Sequence, residues 1–233
     1  MLKNKKIKTK QSFDDTVRFF LNSYKKDLEN VVSRLSDFFE MKIYNDVVRA
    51  YEQLGYICKP MQLFNGNQFK YKLSPSGYIK NFSYFEIEKN DQKFWIVHNL
   101  KCESASYKDS YITADICVID ESSNQSKAID NKQVDFVPNL HLMTFFECKY
   151  MSPFPELIAS FVGLVTVLKP DCLSIKKRTN QHIAPTLVCA NSGSKNSYRF
   201  ANVVQSKHDI NILNKMAYRT LKARIRKQDL KLI

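Results

Sequence analysis

The stretch MTFFECKYM, residues 143–151, places a glutamate and a lysine two residues apart within an apolar run. Residues two apart on a β-strand project to the same face of the sheet. Glu147 and Lys149 therefore share one face of a predicted strand, and Cys148 lies on the other. Charged groups among phenylalanines are costly to bury without partners. The pair is thus either a structural ion pair at a strand end or part of a functional site.

An apolar stretch upstream, ITADICVID at residues 112–120, predicts a second strand with Asp115 near its start. An aspartate and a glutamate on neighbouring strands can converge on a hard divalent cation, which prefers oxygen ligands. A lysine beside them can hold a water or offset charge on a scissile phosphate. Asp115, Glu147 and Lys149 therefore supply the groups that metal-assisted phosphodiester hydrolysis requires.

The order of elements around these residues predicts an α/β protein. Residues 31–54 have helical spacing, and Gly55 is a good helix C-cap. Short aromatic segments follow and predict strands or hairpin arms, among them GNQFKYKLS at residues 66–74. Prolines open a predicted helix over about residues 155–168, and a strand, a helix and a short strand are predicted in residues 184–213.

Three segments differ in composition from this core. Residues 1–37 begin with a lysine-rich arm and continue into a helix predicted to start at Ser12. Residues 121–135 are polar and turn-rich, which predicts a loop or disordered insertion. Residues 214–233 have the pattern of a basic amphipathic helix. The predicted organisation is therefore one domain, residues 38–213, with an extension at each end.

Amino-acid composition limits the classes of partner that the protein is expected to bind. The formal net charge of +13 favours a polyanion such as DNA, although a lysine-rich genome would also raise it. With five glycines and no Gly-rich loop, a nucleotide-binding P-loop is excluded. The four histidines are scattered and indicate no metal or nucleophile site. No apolar run is long enough to cross a bilayer, and no apolar region follows the basic start, so neither a membrane span nor a secretory leader is expected.

The six cysteines show no CxxC spacing and no zinc-site pattern. Cys117, Cys148 and Cys189 lie in apolar strand-like runs and are predicted to be small buried hydrophobic residues. Free thiols in such positions are typical of a reducing, cytoplasmic compartment.

Asp115 followed by Glu147-Cys148-Lys149 resembles the D…(D/E)xK signature of the PD-(D/E)XK nuclease superfamily. The Leu-Gly-Tyr end of the first helix is similar to that of Mrr-like restriction endonucleases and archaeal Holliday-junction resolvases, and residues 185–213 resemble their closing strand–helix–strand. The resemblance covers residues 38–213. It implies a restriction-endonuclease-like mixed central sheet flanked by helices, with the N-terminal helical arm and the basic C-terminal helix outside it.

The resemblance also implies roles for individual residues. Asp115 and Glu147 would bind Mg²⁺ or Mn²⁺, and the main-chain carbonyl of Cys148 would be a further metal ligand. Lys149 would orient the attacking water. The family also uses a glutamate on the first helix, and Glu40 is expected to bind the metal through water or at a second site.

Other features of the chain qualify this resemblance. Glu52 is the other glutamate available on the first helix, but it lies in the last turn, away from the strand ends. Ala114 stands where the family name has a proline. The segment between Asp115 and Glu147 is longer than the usual hairpin because of the insertion at residues 121–135.

The function implied by the resemblance is a metal-dependent endodeoxyribonuclease of restriction or phage-defence type, located in the cytoplasm. A non-catalytic DNA-binding or interaction module with the same fold is an alternative, and so is an RNA-directed nuclease. DNA is the expected partner, a homodimer or a partner subunit is left open, and no membrane association is expected. A membrane-surface role for the C-terminal helix is the weakest alternative.

Overall fold

The computed structural model describes residues 35–121, 136–174 and 182–214, in which an eight-stranded mixed sheet is flanked by three α-helices. The helices are α1 (Leu35–Gln53), α2 (Pro155–Leu168) and α3 (Lys195–Lys207). The strands are β1 (Ile57–Met61), β2 (Tyr84–Lys89), β3 (Gln92–Glu103), β4 (Tyr111–Asp120), β5 (Phe136–Val137), β6 (Leu142–Lys149), β7 (Thr186–Cys189) and β8 (Asn211–Asn214). The predicted α/β class and mixed sheet are confirmed.

The chain divides into two compact units, Met1–Phe38 and Phe39–Ile233. The sheet, α2 and α3 belong to the second unit. The predicted basic arm with its helix from Ser12, almost all of the 121–135 insertion and almost all of the 214–233 helix lie outside the described residues. The division at residues 38 and 213 therefore stays a prediction.

The sheet has the strand order β1-β2-β3-β4-β6-β7-β8, and β5 pairs with β3. Along this order, neighbours are antiparallel through β1, β2, β3, β4 and β6, whereas β6, β7 and β8 are parallel to one another. Strand β6, which carries Glu147 and Lys149, therefore lies at the junction of the antiparallel and parallel parts, directly between β4 and β7.

Helix α1 packs against the face of the sheet that includes Phe85 and His98. The Tyr44 hydroxyl donates a hydrogen bond to the main-chain oxygen of Ile96 at 2.6 Å, and the Tyr44 ring lies 5.5 Å from the His98 ring. The helix ends as predicted at Gly55, whose φ of +84° is readily adopted by glycine. Hydrogen bonds from the Gly55 and Tyr56 amides to main-chain carbonyls of the last turn complete a Schellman C-cap.

Helices α2 and α3 pack on the main hydrophobic core. Helix α2 begins at Pro155, which suits the first helical turn because proline has no amide hydrogen to satisfy. Its buried residues recur at helical spacing: Ile158, Phe161, Val165 and Leu168. Helix α3 begins after Ser194, whose side chain accepts a hydrogen bond from the Ser197 amide. No helix in the described part of the chain combines the length and apolarity needed to cross a membrane.

The predicted arm at residues 66–74 is not a strand. An Asn-Gly-Asn turn with positive φ values occupies residues 65–67, and the ladder is limited to one bridge between Phe64 and Gln68. The aromatic residues that suggested a strand pack as a loop instead, with Phe69 stacked 5.1 Å from Phe85 and Tyr71 5.8 Å from Tyr44. Tertiary packing of the aromatic rings, rather than a ladder, therefore accounts for this composition.

All six cysteines are free thiols, and five of them are buried. Cys117, Cys148 and Cys189 are among the buried ones, which confirms the prediction that they are small core residues. Cys58 on β1 is the one that is partly exposed.

Candidate active site

The sheet register brings the predicted residues of β4 and β6 together. Ile116 pairs with Phe146 and Cys117 with Phe145, so Asp115 and Glu147 are the next opposed positions. Lys149 Nζ lies 2.5 Å from Glu147 Oε1 and 3.5 Å from Asp115 Oδ2. Two carboxylates from neighbouring strands therefore converge on one ammonium.

The carboxylate of Asp115 is held by the main chain of β6. The Cys148 amide donates a hydrogen bond of 2.7 Å to Asp115 Oδ2, the oxygen that also faces Lys149. The Cys148 side chain is buried in the core. Cys148 thus contributes to the site through its backbone, whereas the predicted role of its carbonyl as a metal ligand stays a prediction.

Burial and mutual repulsion perturb the acidic groups. Burial and the charge of Asp115 raise the pKa of Glu147 to about 7, against the lowering effect of Lys149. Burial also raises the pKa of Asp115, which Lys149 and the Cys148 amide oppose. Burial by itself would lower the pKa of Lys149, but the two carboxylates raise it above its ordinary value. Lys149 is therefore a cation at neutral pH, whereas burial favours the protonated form of both carboxyl groups.

Glu40 on α1 belongs to the same electrostatic site but does not contact the pair. Its negative charge raises the pKa of both Asp115 and Glu147. Glu40 Oε2 lies 3.5 Å from His98 Nε2 and accepts a hydrogen bond of 3.4 Å from Asn99 Nδ2. Glu52 is exposed near the other end of the helix, as expected.

His98 and Asn99 of β3 are polar residues that the sequence argument did not assign to the site. The register of β3 and β4 pairs His98 with Ile116 and Leu100 with Ala114, so Asn99 is opposed to Asp115. Asn99 has a φ of +49°, in the left-handed region that asparagine adopts more readily than most residues. In the sequence, two adjacent polar residues, His98 and Asn99, interrupt the apolar run FWIVHNL, and this interruption could have indicated them.

Within residues 35–121, 136–174 and 182–214, no group of three or more His, Cys, Asp or Glu side chains is arranged to hold a metal ion. The two carboxylates nevertheless have the chemistry that Mg²⁺ requires, because this ion is commonly bound by one or two carboxylates together with waters and substrate phosphates. Glu147 Oε2 is buried and has no hydrogen-bond partner. A divalent cation would provide that partner and offset the repulsion between the carboxylates, so the residues fit such an ion.

The site opens to solvent at the end of β6. Lys149 is 33 % exposed, and Met151 and Phe154 just beyond it are exposed as well. A cavity of about 430 Å³ elsewhere is lined by residues of β3 and β4 near Phe94 and Asp120 and includes none of the site residues. An open site of this kind suits a polymeric substrate better than a small molecule that must be enclosed.

Comparison with known proteins found no match: no family model, no curated protein and no solved structure matches the chain. The functional argument therefore depends on the residues and their geometry. Its main observations are the convergence of Asp115 and Glu147 on Lys149 and the unsatisfied oxygen of Glu147.

Proposed function

We propose that the protein is a metal-dependent nuclease that hydrolyses phosphodiester bonds in DNA, with Asp115, Glu147 and Lys149 at its active site. The observation that carries the proposal is the convergence of two partly buried carboxylates on one ammonium at the open end of β6. The resemblance of these residues to the PD-(D/E)XK signature, and a mixed sheet flanked by helices, support it.

Asp115 and Glu147 would hold Mg²⁺ or Mn²⁺, with the Cys148 carbonyl and waters as further ligands. When bound, the cation polarises the phosphate and lowers the pKa of a bound water. The Cys148 amide keeps the Asp115 carboxylate oriented through its 2.7 Å hydrogen bond. This fixed donor reduces the reorganisation that the site needs when substrate binds.

Lys149 has a role that follows from its charge. Because the two carboxylates raise its pKa, Lys149 is protonated and cannot accept a proton from water at neutral pH. Its ammonium can instead donate a hydrogen bond to the water oxygen, which orients a lone pair toward phosphorus. The same charge offsets the negative charge that develops on the phosphate oxygens. Glu40 would bind the cation through a water molecule.

Affinity for the substrate would come from the basic residues of the chain. A net charge of +13 would favour phosphate contacts whose strength falls steeply as the salt concentration rises. An endonuclease of restriction or phage-defence type acting in the cytoplasm is consistent with six free thiols and a basic chain. A homodimer would allow two such sites to reach both strands of a duplex.

Cleavage assays test the proposal. Plasmid and linear DNA would be incubated with Mg²⁺, Mn²⁺ or EDTA and with wild-type protein, Asp115→Asn or Lys149→Met. Lys93→Met is a matched control, because Lys93 forms a 3.9 Å ion pair with Glu86 away from the site. We expect cleavage that requires the cation, disappears in both site variants and persists in the control. Cleavage that survives EDTA or Asp115→Asn would refute the proposed site.

A second candidate, a DNA-binding module without catalysis, is favoured by the lack of a three-residue metal cluster in the described residues. It predicts tight, salt-sensitive DNA binding by wild-type protein without cleavage. RNA substrates in the same assay test the RNA-directed alternative. Faster cleavage of RNA than of DNA of matched sequence would retain the chemistry and change the substrate.

A further inference from the structure

His98 is a buried polar residue whose hydrogen-bonding capacity is not satisfied in the fold. Its side chain is 1 % exposed and lies beside the rings of Tyr44, at 5.5 Å, and Tyr71, at 6.3 Å. Neither ring nitrogen has a hydrogen-bond partner, although both are buried. A buried polar atom without a partner destabilises the fold, so two on one ring require an explanation.

Glu40 is the charged group next to this ring. His98 Nε2 lies 3.5 Å from Glu40 Oε2, slightly longer than an ordinary hydrogen bond between nitrogen and oxygen. Asn99 Nδ2 donates to the same oxygen at 3.4 Å. Both contacts fall on Oε2, which leaves the other carboxylate oxygen for a ligand.

Asn99 is itself fixed by the loop that precedes β2. Its Nδ2 donates to the main-chain oxygen of Lys72 at 3.1 Å, and the Lys72 ammonium donates to the oxygens of Asn99 and Ser74, both at 2.7 Å. This reciprocal pairing holds Asn99 in its left-handed conformation. Residues in sparsely populated backbone conformations are concentrated at functional sites.

The position of Asn99 joins this cluster to the active site, because Asn99 is opposed to Asp115 across the β3–β4 ladder. His98 and Asn99 thus lie on the strand next to the one that carries Asp115, and Asn99 also donates a hydrogen bond to Glu40 on the helix. Groups that hydrogen-bond to the ligands of a metal typically change its affinity 10- to 100-fold when they are mutated.

We infer that His98 and Asn99 are positioning residues that hold Glu40 beside the cation site, where it would bind the ion through water. The inference rests on the proposed function and deepens it by assigning cation affinity to residues outside the Asp115, Glu147 and Lys149 set. A shift of the Glu40 side chain by a few tenths of an ångström brings Oε2 within donating range of His98 Nε2–H. Glu40 Oε1 would then be the oxygen that accepts a hydrogen bond from a water bound to the cation.

A purely structural role for His98 predicts different behaviour. His98→Phe keeps a ring beside Tyr44 and Tyr71 but removes both nitrogens. If His98 only fills space, the variant binds cations as the wild type does. If His98 positions Glu40, the cation-free variant keeps or gains thermal stability, because two unsatisfied groups are removed, while cation affinity falls.

The experiment is calorimetric titration of Mn²⁺ into the full chain, with melting temperatures measured without cation. We expect His98→Phe to bind Mn²⁺ about 10- to 100-fold more weakly than wild type. His98→Gln, which restores an N–H donor, should recover part of the loss. His182→Phe is the matched control, because His182 also lies among aromatic rings, those of Tyr51, Tyr56 and Phe94, and should leave affinity unchanged.

Asn99→Gly provides a second variant in case His98→Phe does not fold, since glycine keeps the positive φ and removes Nδ2. Weaker Mn²⁺ binding in Asn99→Gly supports the inference. Wild-type affinity in a folded His98→Phe or Asn99→Gly protein, with DNA cleavage intact in the wild type, overturns the inference and leaves the proposed function standing. A wild-type protein that neither binds Mn²⁺ nor cleaves DNA overturns both.

Discussion

Lys72 and Lys149 are both enclosed by the fold, but they are held in different ways. Lys72 is 2 % exposed, and its ammonium donates to two neutral main-chain carbonyls at 2.7 Å. Lys149 is 33 % exposed, and its ammonium faces the carboxylates of Glu147 and Asp115. Main-chain carbonyls of Ser74 and Asn99 accept hydrogen bonds from Lys72, whereas carboxylates contact Lys149.

The difference separates a group with a structural role from one that we propose to be functional. The carbonyls of Ser74 and Asn99 accept two hydrogen bonds from Lys72, which ties the loop before β2 to Asn99 on β3. The partners of Lys149 bring two negative groups to one positive group, and Glu147 Oε2 still has no hydrogen-bond partner. An arrangement that is incomplete in the folded protein is one that a ligand can complete.

The largest effect is expected at Lys149. Lys149→Met should lower the rate of DNA cleavage about 10³-fold, because the water-orienting charge is lost, while the protein stays folded. Single-turnover cleavage with saturating Mg²⁺ measures the rate, and a urea titration checks the fold. A Lys149→Met cleavage rate within tenfold of the wild-type rate would contradict the proposed role of Lys149.

Lys72 should show the opposite behaviour. Lys72→Met leaves the carbonyls of buried Asn99 and exposed Ser74 without their Lys72 donor, so we expect the free energy of unfolding to fall by about 3 kcal/mol. Urea unfolding measures this loss. The exposed-pair control Lys93→Met should change stability by less than about 0.5 kcal/mol. Equal stabilities for the Lys72 and Lys93 variants would show that the hydrogen bonds of Lys72 do not stabilise the fold.

His182 extends the comparison to a group that titrates. Burial, with a smaller effect from Lys169, lowers its pKa from 6.5 to about 4. The unfolded chain therefore binds the proton more readily, and the stabilising contribution is present above pH 6.5 and lost as the pH falls toward 4. We expect a loss of about 2 kcal/mol between pH 7 and pH 4.5.

Urea titrations across that pH range measure the contribution of His182, with His182→Phe as the reference. The variant should lose less stability than wild type as the pH falls, because phenylalanine does not titrate. Parallel pH profiles for the two proteins would contradict the assignment.

The smallest effect is expected at Glu147. Because its pKa is raised to about 7 in the folded protein, its contribution to stability is present below pH 4.5 and is lost as the pH rises through 7. Glu147→Gln should therefore stabilise the cation-free protein by about 1 kcal/mol at pH 8 and by almost nothing at pH 5. Melting temperatures in EDTA measure this difference, and Mn²⁺ should reverse the order at pH 8. A variant that is less stable than wild type at pH 8 in EDTA would contradict the raised pKa of Glu147.

Elements bounded by proline or glycine could be predicted from the sequence. Pro155 and Pro170 bound α2 at the predicted residues 155–168, and Gly55 ends the region of α1. The alternation of MTFFECK predicted that Glu147 and Lys149 share a face, and the two lie together in the structure. These features depend on local periodicity and on residues with restricted backbones, which the sequence displays directly.

Contacts between distant segments could not be predicted in this way. The link from Glu40 to Asn99 joins residues 59 positions apart, and the link from Lys72 to Asn99 spans 27. Neither has a spacing rule, because the packing of α1 and of the loop on β3 creates both. The strand predicted at residues 66–74 failed for the same reason, since its aromatic rings serve packing between loop and helix rather than a ladder.

The buried thiols can report on local opening of the sheet. Burial raises the pKa of Cys189 to about 12 and that of Cys148 well above its ordinary value, so almost no thiolate is present in the folded state at pH 8. Alkylation requires the thiolate, and its rate at each buried cysteine therefore reports how often that strand is locally exposed. Because Cys148 lies between Glu147 and Lys149, mass spectrometry of its alkylation would measure how often β6 separates from its neighbours.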